Sequence, residues 1–191
     1  MKTEKITVPK TPLLDNALPK IDYSDTFACK FICGEPLVVD DFVKGFFSSA
    51  PKWVEALFMA RNKIVRLAGL KAPNQQDKIA ELAAFKIEKG GRLGLFKIFD
   101  RSLNEVLMGE DDKHLDFRVS FLLERVSPAK EIIAGGDNKQ NRYSLTVTTL
   151  VSFKNIWGKI YFLPVKPMHK IVVNEMIRSI VKDLKNKKVV A

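Results

Sequence analysis

The sequence predicts an α+β domain in which a curved antiparallel sheet wraps around a long C-terminal helix, with two short helices after the first strand. Three observations carry this. Apolar and polar residues alternate in several segments between residues 23 and 153, short turns join those segments, and an apolar stripe at spacings of three and four runs through residues 173–184.

Residues 1–20 hold Pro9, Pro12 and Pro19 with little periodicity and read as an extended N-terminal arm on the surface of a single domain over residues 21–191. Tyr23, Phe27, Cys29 and Phe31 alternate with Ser24, Thr26 and Lys30, as a half-buried first strand requires. Asp40 and Asp41 before Phe42, Val43, Phe46 and Phe47 suggest an acidic N-cap opening a short helix. Pro51 suits the first turn of a second helix, running through Trp53, Leu57, Phe58, Ile64, Val65 and Leu67 to a stop at Gly69.

After a loop at Ala72–Gln76, strands are expected over Leu95–Arg101, Glu105–Glu110, His114–Arg125 and Tyr143–Phe153, as a meander with turns at 111–114 and Gly135–Asn138. Gly90-Gly91-Arg92-Leu93-Gly94 precedes a strand and reads as a turn rather than a phosphate loop. Tight turns would set Phe99 opposite Val106, Met108 opposite Phe117, and Val106 opposite Val119. Leu95, Phe99, Val106, Met108, Phe117, Val119 and Phe121 then share one apolar face. Leu145, Val147, Thr149, Val151 and Phe153 share a side of the last strand. The long helix is expected to open near Pro167, with Val173, Met176, Ile177, Ile180 and Leu184 facing the sheet.

With 191 residues, 46% hydrophobic and 28% charged, the chain can bury a core of its own and is neither a disordered segment nor a disulfide scaffold. No apolar run is long enough to cross a bilayer and no signal peptide is apparent, so a cytoplasmic location is expected. Cys29 and Cys33 would stand about 13 Å apart along a strand, too far to bridge, and no metal-ligand spacing accompanies them. Of the net charge of +10, half sits on residues 166–191, where seven bases face only Glu175 and Asp183. That basic segment reads first as a solvated helix face, and second as a contact for anionic membrane or nucleic acid, although Arg-rich runs and aromatic-basic nucleic-acid signatures are absent.

The order of strand, two helices, antiparallel strands and long C-terminal helix resembles the START-like, helix-grip superfamily, which includes birch-pollen-type allergens, polyketide cyclases and lipid-transfer domains. Two strings sharpen the likeness: Leu107-Met108-Gly109-Glu110-Asp111-Asp112-Lys113-His114-Leu115-Asp116-Phe117-Arg118, and Gly158 to Lys170 with its Pro167-Met168-His169 run. Both resemble a bacterial SRPBCC-type family of unknown function, over roughly residues 20 to 185. In that family the domain also occurs behind short-chain-dehydrogenase-like NAD-binding domains, so the resemblance implies an NAD-binding protein as a partner. It implies a fold, and no activity or cofactor.

His114, Asp116, Arg118 and Ser120 alternate along one strand and form a polar stripe opposite Leu115, Phe117, Val119 and Phe121. His114 and Asp116 could form an acid-base pair with Arg118 holding an anion; the favoured reading is a solvent face whose charges pair among themselves. His169 at the helix opening could act on a ligand, and is read first as a packing or capping residue that bonds local backbone or a strand-end carboxylate. Phe42, Phe46, Phe47, Trp53 and Phe58 are expected to pack the core, or else to edge a cavity.

Two functions remain open at this level. In the first, a non-catalytic module binds a small hydrophobic or amphipathic ligand lined by Phe99, Val106, Met108, Phe117, Val119, Val147, Met176 and Ile180. In the second, a cyclase- or dehydratase-type enzyme uses His114, Asp116, Arg118 or His169 for proton transfer on a ligand in the same place.

Overall fold

A computed structural model describes residues 2–57, 59, 82, 84–126 and 141–186. Seven strands form one sheet: β1 (Glu4–Lys5), β2 (Tyr23–Cys33), β3 (Arg92–Leu93), β4 (Phe96–Arg101), β5 (Glu105–Asp111), β6 (Leu115–Arg125) and β7 (Asn141–Phe153). Their order is β1-β2-β7-β6-β5-β4-β3 and every neighbouring pair is antiparallel. The helices α1 (Pro12–Asp15), α2 (Val39–Ser48) and α3 (Ile156–Asn186) accompany them among the described residues. A further helical turn follows Pro51 over residues 52–57. The curved sheet with its long C-terminal helix is an α+β arrangement consistent with a helix grip. The expected continuation from Phe58 to Gly69, the loop at Ala72–Gln76 and the turn at Gly135–Asn138 lie outside the described residues.

The concave face carries the core because period two puts Phe27, Cys29 and Phe31 of β2, Val119 and Phe121 of β6, and Leu145 and Val147 of β7 on one side. Helix α2 lays Phe42, Phe46 and Phe47 around Phe121, with ring centroids 4.9–6.0 Å apart in edge-to-face and tilted contacts. Trp53 is largely exposed, so it is not one of the packing residues. From α3, Val173, Met176, Ile177, Ile180, Val181 and Leu184 close the same cluster. Cys29 and Cys33 are buried and not joined in a disulfide.

Register corrects part of the sequence reading. Met108 pairs with Val119 and Val106 with Phe121, two residues from the expected partners; an even shift leaves every side chain on its expected face. On the β4 side, Ile98 pairs with Met108, then Asp100 with Leu107 and Arg101 with Val106, so Phe99 is the extra residue of a bulge. Phe99 therefore leaves the core face and packs on the convex side with Leu14, Leu18, Leu107 and Leu150. Ile98 takes its place inside. Leu95 lies in the β3–β4 turn beside Gly94, whose φ of +55° favours glycine.

The helix starts differ too. The N-cap of α2 is Val38, while Asp40 and Asp41 sit in the first turn; the Val38 N–H donates to Asp41 Oδ2 at 3.3 Å, and Arg101 grips Asp40 at 2.9 Å. Helix α3 begins eleven residues before Pro167 and passes through both Pro164 and Pro167. Interior prolines leave carbonyls four residues back unpaired, but Ile160 and Leu163 are exposed, so water can satisfy them. Asn155 marks the true start: its Oδ1 accepts from Gly158 N at 3.1 Å.

The N-terminal arm is partly structured. β1 pairs with β2, and α1, capped by Thr11 Oγ1, buries Leu14 on the convex face.

Candidate functional site

Asp25 is an acid on the apolar face of β2, in step with Tyr23 and Phe27. In the β2–β7 ladder it pairs with Thr149, so both side chains rise together from the concave face. Helix α3 brings His169 down onto them. His169 Nε2 lies 3.0 Å from Thr149 Oγ1 and 3.3 Å from Asp25 Oδ1, and Tyr23 Oη donates to Asp25 Oδ2 at 2.5 Å. The Asp25 side chain is 1% exposed and the His169 ring 20%. Phe162, one turn earlier in α3, meets the Tyr23 ring edge-on at 4.8 Å, and Lys166 Nζ stands 5.3 Å from that ring's centre.

Burial pushes the Asp25 carboxyl up, but hydrogen bonding and charge from His169, with the Tyr23 and Thr149 hydroxyls, outweigh it and hold the group below its ordinary value. Burial first, then the Asp25 bond and charge, raise the Tyr23 phenol above its own. An ionised Asp25 therefore accepts from a neutral Tyr23, while its second oxygen, Oδ1, faces His169 Nε2 at 3.3 Å. Both contacts of the His169 ring are made through Nε2.

The row across the sheet at this level runs Asp25, Thr149, Val119, Met108, Ile98. It passes from carboxylate through hydroxyl to pure hydrocarbon. Phe117, on the next row, is half-buried and faces Phe96, whose ring meets Phe47 edge-on. Val106, Met108, Val119, Val147, Met176 and Ile180 are all buried in the main cluster, with Phe117 packed against it. Of the expected lining, Phe99 alone is elsewhere.

The polar stripe of β6 lies on the convex face and its members do not converge. His114 Nδ1 sits 3.1 Å from Asn155 Nδ2, while His114 O accepts from Lys154 N, so this residue fastens the β5–β6 turn to the start of α3. Asp116 pairs with Lys154 Nζ at 2.7 Å. Arg118 is buried: it bonds Asp111 at 2.7 Å and Phe117 O at 2.9 Å, and its guanidinium lies 3.4 Å from the Phe99 ring centre. Ser120 donates to the buried Glu105, which also accepts from Thr11 Oγ1 at 3.0 Å. Each of these contacts ties strand to strand, turn to helix, or arm to sheet.

Asp25, Tyr23 and Thr149 were not singled out as site residues from the sequence. The signal was present, because Asp25 occupies a core-facing parity position between Tyr23 and Phe27, where an acid needs a buried partner.

No curated protein and no solved structure matches the chain. A family model described as a protein of unknown function, DUF2867, matches residues 17–176, a span that holds Tyr23, Asp25, Thr149 and His169, and the chain belongs to that family.

Proposed function

We propose that this START-like domain binds a small amphipathic molecule between the concave sheet face and α3, with the polar end at His169 and the apolar body along Val119 and Phe117. The observation that carries this reading is the row Asp25–Thr149–Val119–Met108–Ile98, a polar corner at the end of an apolar surface. A buried carboxylate is costly unless paired, and Asp25 is paired with the His169 ring, which is itself 20% exposed. The half-buried Phe47, Phe96 and Phe117 give the apolar side an approach from solvent.

The test is mass spectrometry of small molecules released from the purified protein, beside titration with the dye anilinonaphthalene sulfonate. Saturable dye binding is expected, weakened at least fivefold by His169→Ala or Val119→Phe in variants that melt cooperatively. Absence of any saturable site in the wild-type protein, or equal binding by both variants, contradicts the reading.

The Asp25–His169 pair also favours a second reading, proton transfer by His169 on the bound molecule. Here His169→Gln should abolish solvent-deuterium exchange into a bound carbonyl compound while dye affinity stays within about twofold.

A further inference from the structure

The first half of α3 has a second apolar face, directed away from the sheet. Ile156, Ile160, Leu163 and Ile171, with Pro167 among them, recur at spacings of three and four, and Trp157 and Met168 flank that stripe. All are exposed, Trp157 at 64% and Leu163 at 69%. The opposite side of the same turns, Phe162, His169, Val173 and Met176, meets the sheet. Burial in this protein therefore does not explain the outward stripe, which is wider than the scattered apolar residues of an ordinary surface.

Charge identifies the kind of partner. Residues 154–174 contain no acid and four lysines. Lys154 is tied to Asp116 and Lys166 reaches over the Tyr23 ring, while Lys159 and Lys170 lie with Lys166 between the sheet-facing and outward stripes. An apolar face with an exposed tryptophan and a lysine row along one flank has the chemistry of a helix lying in a membrane interface. A second copy of the chain would bring no acid from this segment to meet those lysines. No helix among the described residues is long and apolar enough to cross a bilayer, so contact would be lateral.

We propose that the outward face of α3 over residues 156–171 seats the protein on an anionic lipid surface, with Trp157, Ile160 and Leu163 entering the headgroup region and Lys159 and Lys170 facing the lipid phosphates.

The chain has two tryptophans, so Trp53→Phe leaves Trp157 as the reporter. With vesicles of phosphatidylcholine and phosphatidylglycerol at 3:1, its emission should shift blue and resist acrylamide quenching, both effects weakening with salt. Replacing Lys159 and Lys170 by Gln should cost about fivefold in affinity per lysine, about twenty-five-fold together. Trp157→Ser with Leu163→Gln, at exposed positions that leave the fold intact by circular dichroism, should remove the remaining binding. Three results overturn the proposal: no shift at low salt; vesicle binding by the Trp157/Leu163 variant as tight as wild type; or a wild-type dimer without lipid that this variant splits, which assigns the face to a second copy.

Discussion

At the scale of single residues, Asp25 and Tyr23 make opposite demands on pH. The Asp25 carboxyl is depressed in the folded protein, so its contribution to stability is present above the ordinary carboxylate value, about 3.9, and is lost as pH falls through the folded value. Asp25→Asn should destabilise the protein by about 1–3 kcal/mol at neutral pH and flatten the stability profile below pH 4; denaturant melts from pH 2.5 to 7 measure both. The Tyr23 phenol is raised, so its contribution is complete below about pH 10 and lost above. Absorbance titration should show a late ionisation belonging to Tyr23, and Tyr23→Phe should delete that step. Because Asp25 causes part of the rise, Asp25→Asn should move the same step earlier. An unchanged late step in either variant would detach Tyr23 from Asp25. Alternation along β2 already marked Asp25 as inward-facing, but nothing local shows that a residue 144 positions later supplies its partner.

At the scale of elements, the crossing of α2 over α3 depends on Gly45. A Cβ there would lie 1.8 Å from Ile180 Cδ1, and Ile180 is fully packed. Gly45→Ala gains about 1 kcal/mol of helix propensity, yet should destabilise by about 1–3 kcal/mol overall because overpacking dominates. Ile180→Val removes the clashing methyl at a cost of about 1 kcal/mol, and in that background the Gly45→Ala penalty should shrink or change sign. Additive effects in a double-mutant cycle of chemical melts would contradict the contact. Met176, 3% exposed, should lose about 2–5 kcal/mol as Ala and fail to fold stably as Asp, whose carboxylate would have no partner. A Met176→Asp variant melting like wild type would remove α3 from the sheet. Of these elements, the stripe from Val173 to Leu184 was legible because its spacing is helical throughout. The first eleven residues of α3 were hidden by two prolines that ordinarily begin a helix. The Phe99 bulge was hidden because a tight-turn register looks equally regular along β4, and only the packing of Ile98 inside and Phe99 outside decides between them.

At the scale of the whole molecule, both faces of the sheet are packed, and the arm covers the convex one. Leu14 and Leu18 cover Leu107 and Leu150 on the convex side, where Thr11 also reaches the buried Glu105. Burying two leucines is worth about 1.5–3 kcal/mol each, so removing residues 1–18 should lower stability by several kcal/mol and promote self-association. A truncated chain that melts and sediments like the full one would make the arm an ornament of the surface. Of the three prolines that make this segment look merely extended, Pro12 starts α1, standing at its first turn.

The most direct measurement of the proposed binding face is a nitrogen and methyl chemical-shift map on addition of anilinonaphthalene sulfonate, whose rings and sulfonate mimic an amphipathic molecule. Shifts should centre on His169, Thr149, Val119 and Phe117, with the His169 ring nitrogens among the largest. Shifts confined to residues 156–171 on the outward face of α3, or none within the concave face at saturating dye, would contradict it.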